Sequence, residues 1–541
     1  MTTNNHVVAP AQSNHVSGIE SARQIHNIIK LSNYTDFIIL GDNLFPFHLH
    51  LDTNQETSEM AQTVLAQFKS ESGEVKGAQV EIPVNLRPND LQAICDALLQ
   101  TPKEDRVPYL FFIKGNHLTD TIESIKDDNN KPILLEEERV LEIVFAPQAV
   151  FKVEPVTRCV SSMSGHGEAI ISAAFSPNGQ DLVSGSGDTT VRFWDIATQT
   201  PRFSCTGHRN WVLAVAWSPD GLQVASGCRN GEIFVWSPSD GAMKAKMSGH
   251  TKFITCLAWE PINCNQDCRH FASSSKDCAV RIWDVLLKRC ELVLSGHSMS
   301  VTCVKWSANG LIYTASQDRS VKVWRGADGV MCRSLDGHAH WVNTLALNCD
   351  YIVRTGPFEP AQLKQKGPGH QDLSKRQELA RIAQERYDKA REGPIKEDFL
   401  VSGSDDFTMY LWKPESSKAP VARLTGHQQL INDVKFSPDM RYIASASFDK
   451  SIRLWNGSTG KFISTLRGHV QRVYQLAWSA DSRLLASASA DSTSKVWSVT
   501  SRKLMCDLPG HADEVYVIDW SSDGESVVSG SKDKTLKIWR R

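Results

Sequence analysis

Eight times between residue 165 and the C-terminus a Gly-His pair is followed by a hydroxyl residue, then an acid or amide, then a Trp. The pairs begin at Gly165, Gly207, Gly249, Gly296, Gly337, Gly426, Gly468 and Gly510, at intervals of 42, 42, 47, 41, 89, 42 and 42. The acid or amide is Asp188, Asn230, Asp277, Asp318, Asp406, Asp449, Asp491 or Asp533, and six residues on stands Trp194, Trp236, Trp283, Trp324, Trp412, Trp455, Trp497 or Trp539. Four residues before the acid or amide comes Ser184, Ser226, Ser273, Thr314, Ser402, Ser445, Ser487 or Ser529. A fixed period of this size means that one supersecondary unit is repeated, and that each unit buries its faces against its neighbours.

This spacing resembles the WD40 repeat, in which each repeat supplies one four-stranded blade of a β-propeller. A lone blade leaves both faces wet, whereas a closed ring of blades covers them and keeps strand edges short. His, hydroxyl, Asp and Trp then read as a buried hydrogen-bond chain, with His166, Ser184, Asp188 and Trp194 or His427, Ser445, Asp449 and Trp455 as examples. The same residue types could be mistaken for a hydrolytic triad, but eight copies at one spacing mark architecture. Asn230 departs from the pattern and predicts one weakened hydrogen bond. The last repeat ends two residues after Trp539, so its outer strand must come from elsewhere, and 156–163 falls in the right register.

Composition bounds the rest. No apolar run approaches the ~20 residues a membrane span needs, and residues 1–24 lack the apolar core of a secretory signal. Thirteen cysteines are scattered, which suits reduced thiols. Only Cys264, Cys268 and His270 cluster, in the expanded third repeat and without a fourth ligand, so a plain loop is expected and no metal of the chain's own. A net charge of −2 excludes coating of nucleic acid by bulk attraction but leaves room for local phosphate contacts. There is no phosphate-binding G-x-x-x-x-G-K-[ST] loop, no Cys-His metal frame and no Gly-x-Ser-x-Gly elbow, so no enzyme activity is expected.

Residues 1–61 read as a disordered leader. Strands are expected at 64–68 and 78–84, with a turn at 71–74 between them. Asn89 would cap a helix carrying Leu91, Ile94, Leu98 and Leu99 on one stripe. Further strands are expected at 109–113 and 140–145. That order over residues 62–154 is the order of a ubiquitin-like β-grasp. Residues 60–158 hold 11 Lys and Arg against 16 Asp and Glu, and Glu136, Glu137 and Glu138 crowd together before the last strand. The expected whole is therefore mainly β, an eight-bladed propeller over 155–541 preceded by a small α+β domain. The long interval adds an insertion at about 355–397, with a surface helix over 371–391 carrying Leu379, Ile382, Ala383, Arg386 and Tyr387, which either packs on the rim or grips a partner.

The acidic β-grasp, the run 146–158, and the motifs at 184–192, 340–343, 354–356, 402–408 and 508–516 together resemble the Notchless family. The resemblance implies a nuclear factor, found in nucleolus and nucleoplasm, in maturation of the large ribosomal subunit. The propeller would sit on the pre-60S particle. The ubiquitin-like domain would offer a carboxylate to the Mg²⁺-dependent adhesion site of midasin, an AAA ATPase, so that the metal is shared in trans and no cofactor belongs to the chain itself. By position Glu138 matches the family's ligand, with Glu136 and Glu137 as supporting acids; Mg²⁺ takes oxygen ligands and would accept such a group at an open position. Propellers commonly bind through the loops preceding their innermost strands, where Trp211, Phe253, Trp341, Arg472, Tyr474 and Tyr516 stand as candidate contacts. The alternative is a scaffold or substrate adaptor in ubiquitin ligation or Notch signalling.

Overall fold

Alternation in Thr63–Ser70 (β3) puts Ala66 and Phe68 on one face, where both are buried. The computed structural model describes residues 63–541 apart from 72, 100–107, 115, 119, 126–139, 149–151, 360–375 and 392–396, together with two short strands, Phe37–Leu40 (β1) and Asn43–Pro46 (β2). Within the expected disordered leader, those two strands pair as an antiparallel hairpin.

In the N-terminal unit, β3 pairs antiparallel with Val80–Pro83 (β4) and parallel with Leu141–Pro147 (β7). Tyr109–Ile113 (β5) and Asn116–His117 (β6) complete a sheet of order β4-β3-β7-β5-β6. Helix α1, Pro88–Leu99, covers this sheet, and its Leu91, Ile94 and Cys95 join Phe68, Ile82, Phe111, Ile143 and Phe145 in one core. This is the expected β-grasp, with one correction. Asn89 lies inside the helix rather than at its cap, because Pro88 already holds the first helical position. The Arg87 N–H is satisfied instead by Asp90 Oδ2 at 3.0 Å. Gly77 holds φ at +78°, a left-handed conformation that favours glycine.

Eight four-stranded sheets follow. In each, the first strand is innermost and touches the first strands of both neighbours. Side chains stitch these strands together around the ring. Thr255 Oγ1 donates to Val301 O at 2.8 Å, Thr302 Oγ1 to Val342 O at 2.6 Å, Asn343 Nδ2 to Ile431 O at 3.2 Å and Asn432 Nδ2 to Tyr474 O at 2.6 Å. The last blade is closed as the sequence requires: Arg158–Met163 (β8) pairs antiparallel with Leu536–Arg540. The chain divides into compact units Met1–Ala146 and Pro147–Arg541. The division precedes the expected 154/155 boundary because Val153 and Val156 are buried among residues of the seventh and eighth blades.

The insertion in the fifth blade forms helices α2, Asp350–Thr355, and α3, Arg376–Arg391. Leu379 and Ala383 of α3 are buried against Ile262 and Cys268, residues of the third blade's expansion. Asn263 Nδ2 donates to Gln384 Oε1 at 3.0 Å, and Arg376 pairs with Asp267 at 3.1 Å. The helix therefore packs on the propeller. Helix α2 links opposite blades of the ring: Asp350 pairs with Lys305 of the fourth blade at 3.0 Å and Arg354 with Asp519 of the eighth at 2.7 Å. A Cβ on Gly356 would sit 2.9 Å from Pro219 O of the second blade. No helix among the described residues is long and apolar enough to cross a membrane.

Candidate functional site

The repeated residues hold the blades together from inside. In the first blade, the Trp194 indole N–H donates to Ser184 Oγ at 2.8 Å, Ser184 meets His166 Nε2 at 2.7 Å, and His166 Nδ1 donates to Asp188 at 2.8 Å. The same chain runs through His427, Ser445, Asp449 and Trp455 with contacts of 2.8, 2.8 and 3.0 Å. In both blades His and Ser are buried. Burial alone would raise the Asp188 pKa, but hydrogen bonds from His166, Thr190 and the Gly167 and Thr190 N–H groups outweigh it and hold the carboxyl below the ordinary range. With its lone pairs occupied, this constellation is a structural clasp. In the seventh blade the preceding glycine is tightly packed, since a Cβ on Gly468 would meet the Trp497 ring at 3.0 Å.

The second blade breaks the clasp further than the sequence suggests. Asn230 turns away and accepts from Asn210 Nδ2 at 2.9 Å. His208 Nε2 still meets Ser226 at 2.7 Å, but its buried Nδ1 has no protein partner. The bond is lost rather than weakened, and burial pushes His208 down to about 4.

The candidate binding residues fall into two groups. Trp211 and Trp341 are exposed, at 48% and 40%, while Phe253 is half-buried. Arg229 lies 5.3 Å over the Trp211 ring, and Lys276 lies 5.1 Å over Phe253. A repeated backbone bond builds both pairs: Arg229 N–H donates to Trp211 O at 2.9 Å and Lys276 N–H to Phe253 O at 3.0 Å. With exposed Arg209 and Lys252 beside them, the second and third blades present four cations and two aromatic faces. Cation–aromatic pairs of this kind suit an anionic or aromatic partner. Trp341 packs on His340, ring centroids 5.3 Å apart.

The second group is tied together by ring contacts between blades, with Arg472 exposed and Tyr474 and Tyr516 half-buried. Arg472 lies 5.3 Å over Phe448, Phe448 meets Tyr474 edge-on at 5.8 Å, and Tyr474 meets Tyr516 at 5.5 Å. Tyr474 also donates its hydroxyl to Glu514 at 3.0 Å. Tyr474 and Tyr516 are thus held between blades and offer only partial surface. Arg229, Lys276 and Phe448 escaped the sequence reading. Each follows the second strand of its blade; hairpin register sets Arg229 and Lys276 beside Trp211 and Phe253, whereas Phe448 lies opposite Leu430 and meets Arg472 and Tyr474 of the next blade.

Glu136, Glu137 and Glu138 lie outside the described residues. Leu141–Pro147, the strand just after them, is the central strand of its sheet. The Cys264, Cys268 and His270 cluster separates: Cys268 is buried under α3, Cys264 faces Ala308 O, and His270 contacts Glu260 at 2.9 Å and Glu291 at 3.1 Å. Among the described residues, His270, Asp284 and Glu291 bring ligand atoms within 4.8 Å of one another. Arg269 already pairs with Asp284, which leaves that group poorly suited to a cation.

Comparisons with known proteins follow the two units. Residues 64–125 match the NLE (NUC135) domain, residues 418–456, 460–498 and 502–540 match the WD domain G-beta repeat, and 150–352 match a family described as the IFT122 first beta-propeller. Among curated relatives, Protein Notchless of Drosophila melanogaster is 51% identical over 398 residues, covering 72% of this chain and 77% of its own length. The Notchless protein homolog of Arabidopsis thaliana is 48% identical, with 76% and 84% covered. Ribosome assembly protein 4 of Saccharomyces cerevisiae is 45% identical, with 73% and 78% covered. Among solved structures, the computationally designed Ika8 protein superposes with a TM-score of 0.55 at 25% identity, over 71% of this chain and all of that one.

Proposed function

This chain belongs to the Notchless family, and from that premise we propose that it is an assembly factor of the large ribosomal subunit, acting in the nucleus, in nucleolus and nucleoplasm. Its propeller docks on the pre-60S particle. Its ubiquitin-like domain presents Glu138 to the Mg²⁺-dependent adhesion site of midasin, with Glu136 and Glu137 adding negative field, and the ATPase pulls on the docked factor to remodel the particle. The chain itself supplies binding and no catalysis.

The observation that carries this reading is the joining of an NLE domain to a full propeller in one chain 45% identical to Ribosome assembly protein 4. Physical features support it. The N-terminal unit has a single packed core and a parallel central strand, so it can carry load across several backbone hydrogen bonds. The propeller has cation–aromatic pairs at Trp211 and Phe253 on one face, with Trp341 exposed as well, which supports docking through that face.

Binding of the full chain to the midasin adhesion domain, titrated with and without Mg²⁺, tests the hook. Native chain should bind only with the metal, Glu138→Ala should not bind, and Glu138→Asp should bind weakly, because a shorter carboxylate reaches the open ligand position less well. Undiminished binding by Glu138→Ala would remove the ligand assignment.

A further inference from the structure

Between the sixth and seventh blades lies an open cleft of about 240 Å³, bordered by Lys450, Arg453 and Arg467. Its one carboxylate, Asp449, is already saturated. Oδ2 takes His427 Nδ1 at 2.8 Å and the Gln428 N–H at 3.1 Å, while Oδ1 takes the Ser451 N–H at 2.9 Å and its hydroxyl at 2.6 Å. Three cations thus border the cleft with no free carboxylate to pair with there, and the buried Arg453 Nε has no hydrogen-bond partner.

Sequence register shows what is special about this junction. Arg453 stands on the third strand of its blade, where Arg192 and Arg281 stand in theirs, so it alone distinguishes nothing. The residue before Gly-His is Ser164, Thr206, Ser248, Ser295, Asp336, Thr425 or Pro509 elsewhere, and only here is it basic, as Arg467. Register sets Arg467 opposite Ser451, beside Lys450 at the turn tip. The outer strand that ends in Arg467 begins with Phe462, which is 51% exposed and carries the Arg453 guanidinium 5.6 Å over its ring.

From this geometry we propose that the cleft between blades six and seven binds the phosphodiester backbone of single-stranded RNA, with Phe462 as an adjoining platform for a base. The proposal rests on the reading of the propeller as the part that docks on a ribosomal particle. Clustered cations beside an exposed aromatic face are the combination that sequence-tolerant single-strand binding uses. A phosphorylated or acidic peptide would use the cations but would leave Phe462 without a role.

The test is fluorescence anisotropy of a labelled single-stranded RNA with the full chain, at several salt concentrations. Arg467→Ser restores a residue type that other blades carry at this position and so leaves the fold intact. It should weaken binding and lower the slope of log K against log salt by about 0.7, the share of one phosphate contact on a single strand. Phe462→Ala should cost about fivefold or more. Unchanged affinity and slope for Arg467→Ser would overturn the proposal. So would Arg467-dependent binding of a phosphopeptide by a chain that ignores RNA. Co-sedimentation of native chain with large-subunit precursors reads particle docking separately, so loss of the cleft assignment and loss of the assembly reading are distinguishable.

Discussion

Asp481, in the seventh blade, accepts the backbone N–H of Val153 at 2.8 Å, across 328 positions of sequence. The carboxylate is buried, and Val153 packs so closely that a Cβ on Gly524 would lie 2.6 Å from its Cγ2. Four residues later the Thr157 N–H reaches Arg540 O at 2.9 Å, and β8 begins. The chain is therefore fixed to blade seven before it enters blade eight as the closing strand. Any pull applied from the N-terminal side meets this bond before it meets the β8 ladder. Asp481→Ala should destabilise the propeller by about 1–3 kcal/mol, the cost of an orphaned buried N–H. Amide exchange at residues 153–163 should rise more than exchange in the first blade, and a uniform rise over the ring would contradict the anchor.

The second blade should be improvable. Asn230→Asp supplies the acceptor that His208 Nδ1 lacks and should stabilise by about 1 kcal/mol. His208 should then titrate higher, as an imidazole beside a carboxylate does. Thermal unfolding and imidazole NMR titration read the two effects; an unchanged melting point with an unchanged titration would mean that the new carboxylate points elsewhere.

Acid should loosen the propeller in two stages. Burial holds His208 at about 4 against an ordinary 6.5, so the unfolded chain binds that proton more readily. The resulting stability is whole above pH 6.5 and is lost as pH falls toward about 4, on the order of 3 kcal/mol. Asp533 behaves differently: burial opposes its charge, but Thr535, the Ala512 N–H and His511 together hold it down to about 2. Its contribution is present above about pH 4 and is lost between about 4 and 2. Urea midpoints from pH 8 to about pH 2 should show one decline between about 6.5 and 4 and a further one below about 4, and the first should shrink in Asn230→Asp.

Helix α2 should act as a brace across the ring. Arg354 keeps 41% of its side-chain surface in contact with solvent, so its pair with Asp519 is screened, and Arg354→Ala should cost only about 1 kcal/mol. A double-mutant cycle with Asp519→Asn should show coupling of about 0.5 kcal/mol or more. Strict additivity would mean that the pair contributes nothing to ring stability.

The ring was legible in the sequence because its clasp residues recur: one reading of His166, Ser184, Asp188 and Trp194 applied eight times, and the truncated repeat after Trp539 required a strand such as β8. Features that occur once were not legible in this way. Nothing local to Ile262 or Cys268 says that Leu379 and Ala383 will cover them, since two separate departures from the repeat meet only in space. Asn89 looked like a cap because the role of Pro88 depends on where the helix begins. Arg229 and Lys276 became visible only once hairpin register set them beside Trp211 and Phe253.

The most direct measurement of the whole account is sedimentation of large-subunit precursors carrying this chain, before and after ATP is supplied to midasin. Native chain should co-sediment at first and leave the particle when ATP and Mg²⁺ are present. Glu138→Ala should co-sediment equally well and stay. Release of the Glu138→Ala chain at the native rate would contradict the hook, and a native chain that never co-sediments would contradict the assembly reading itself.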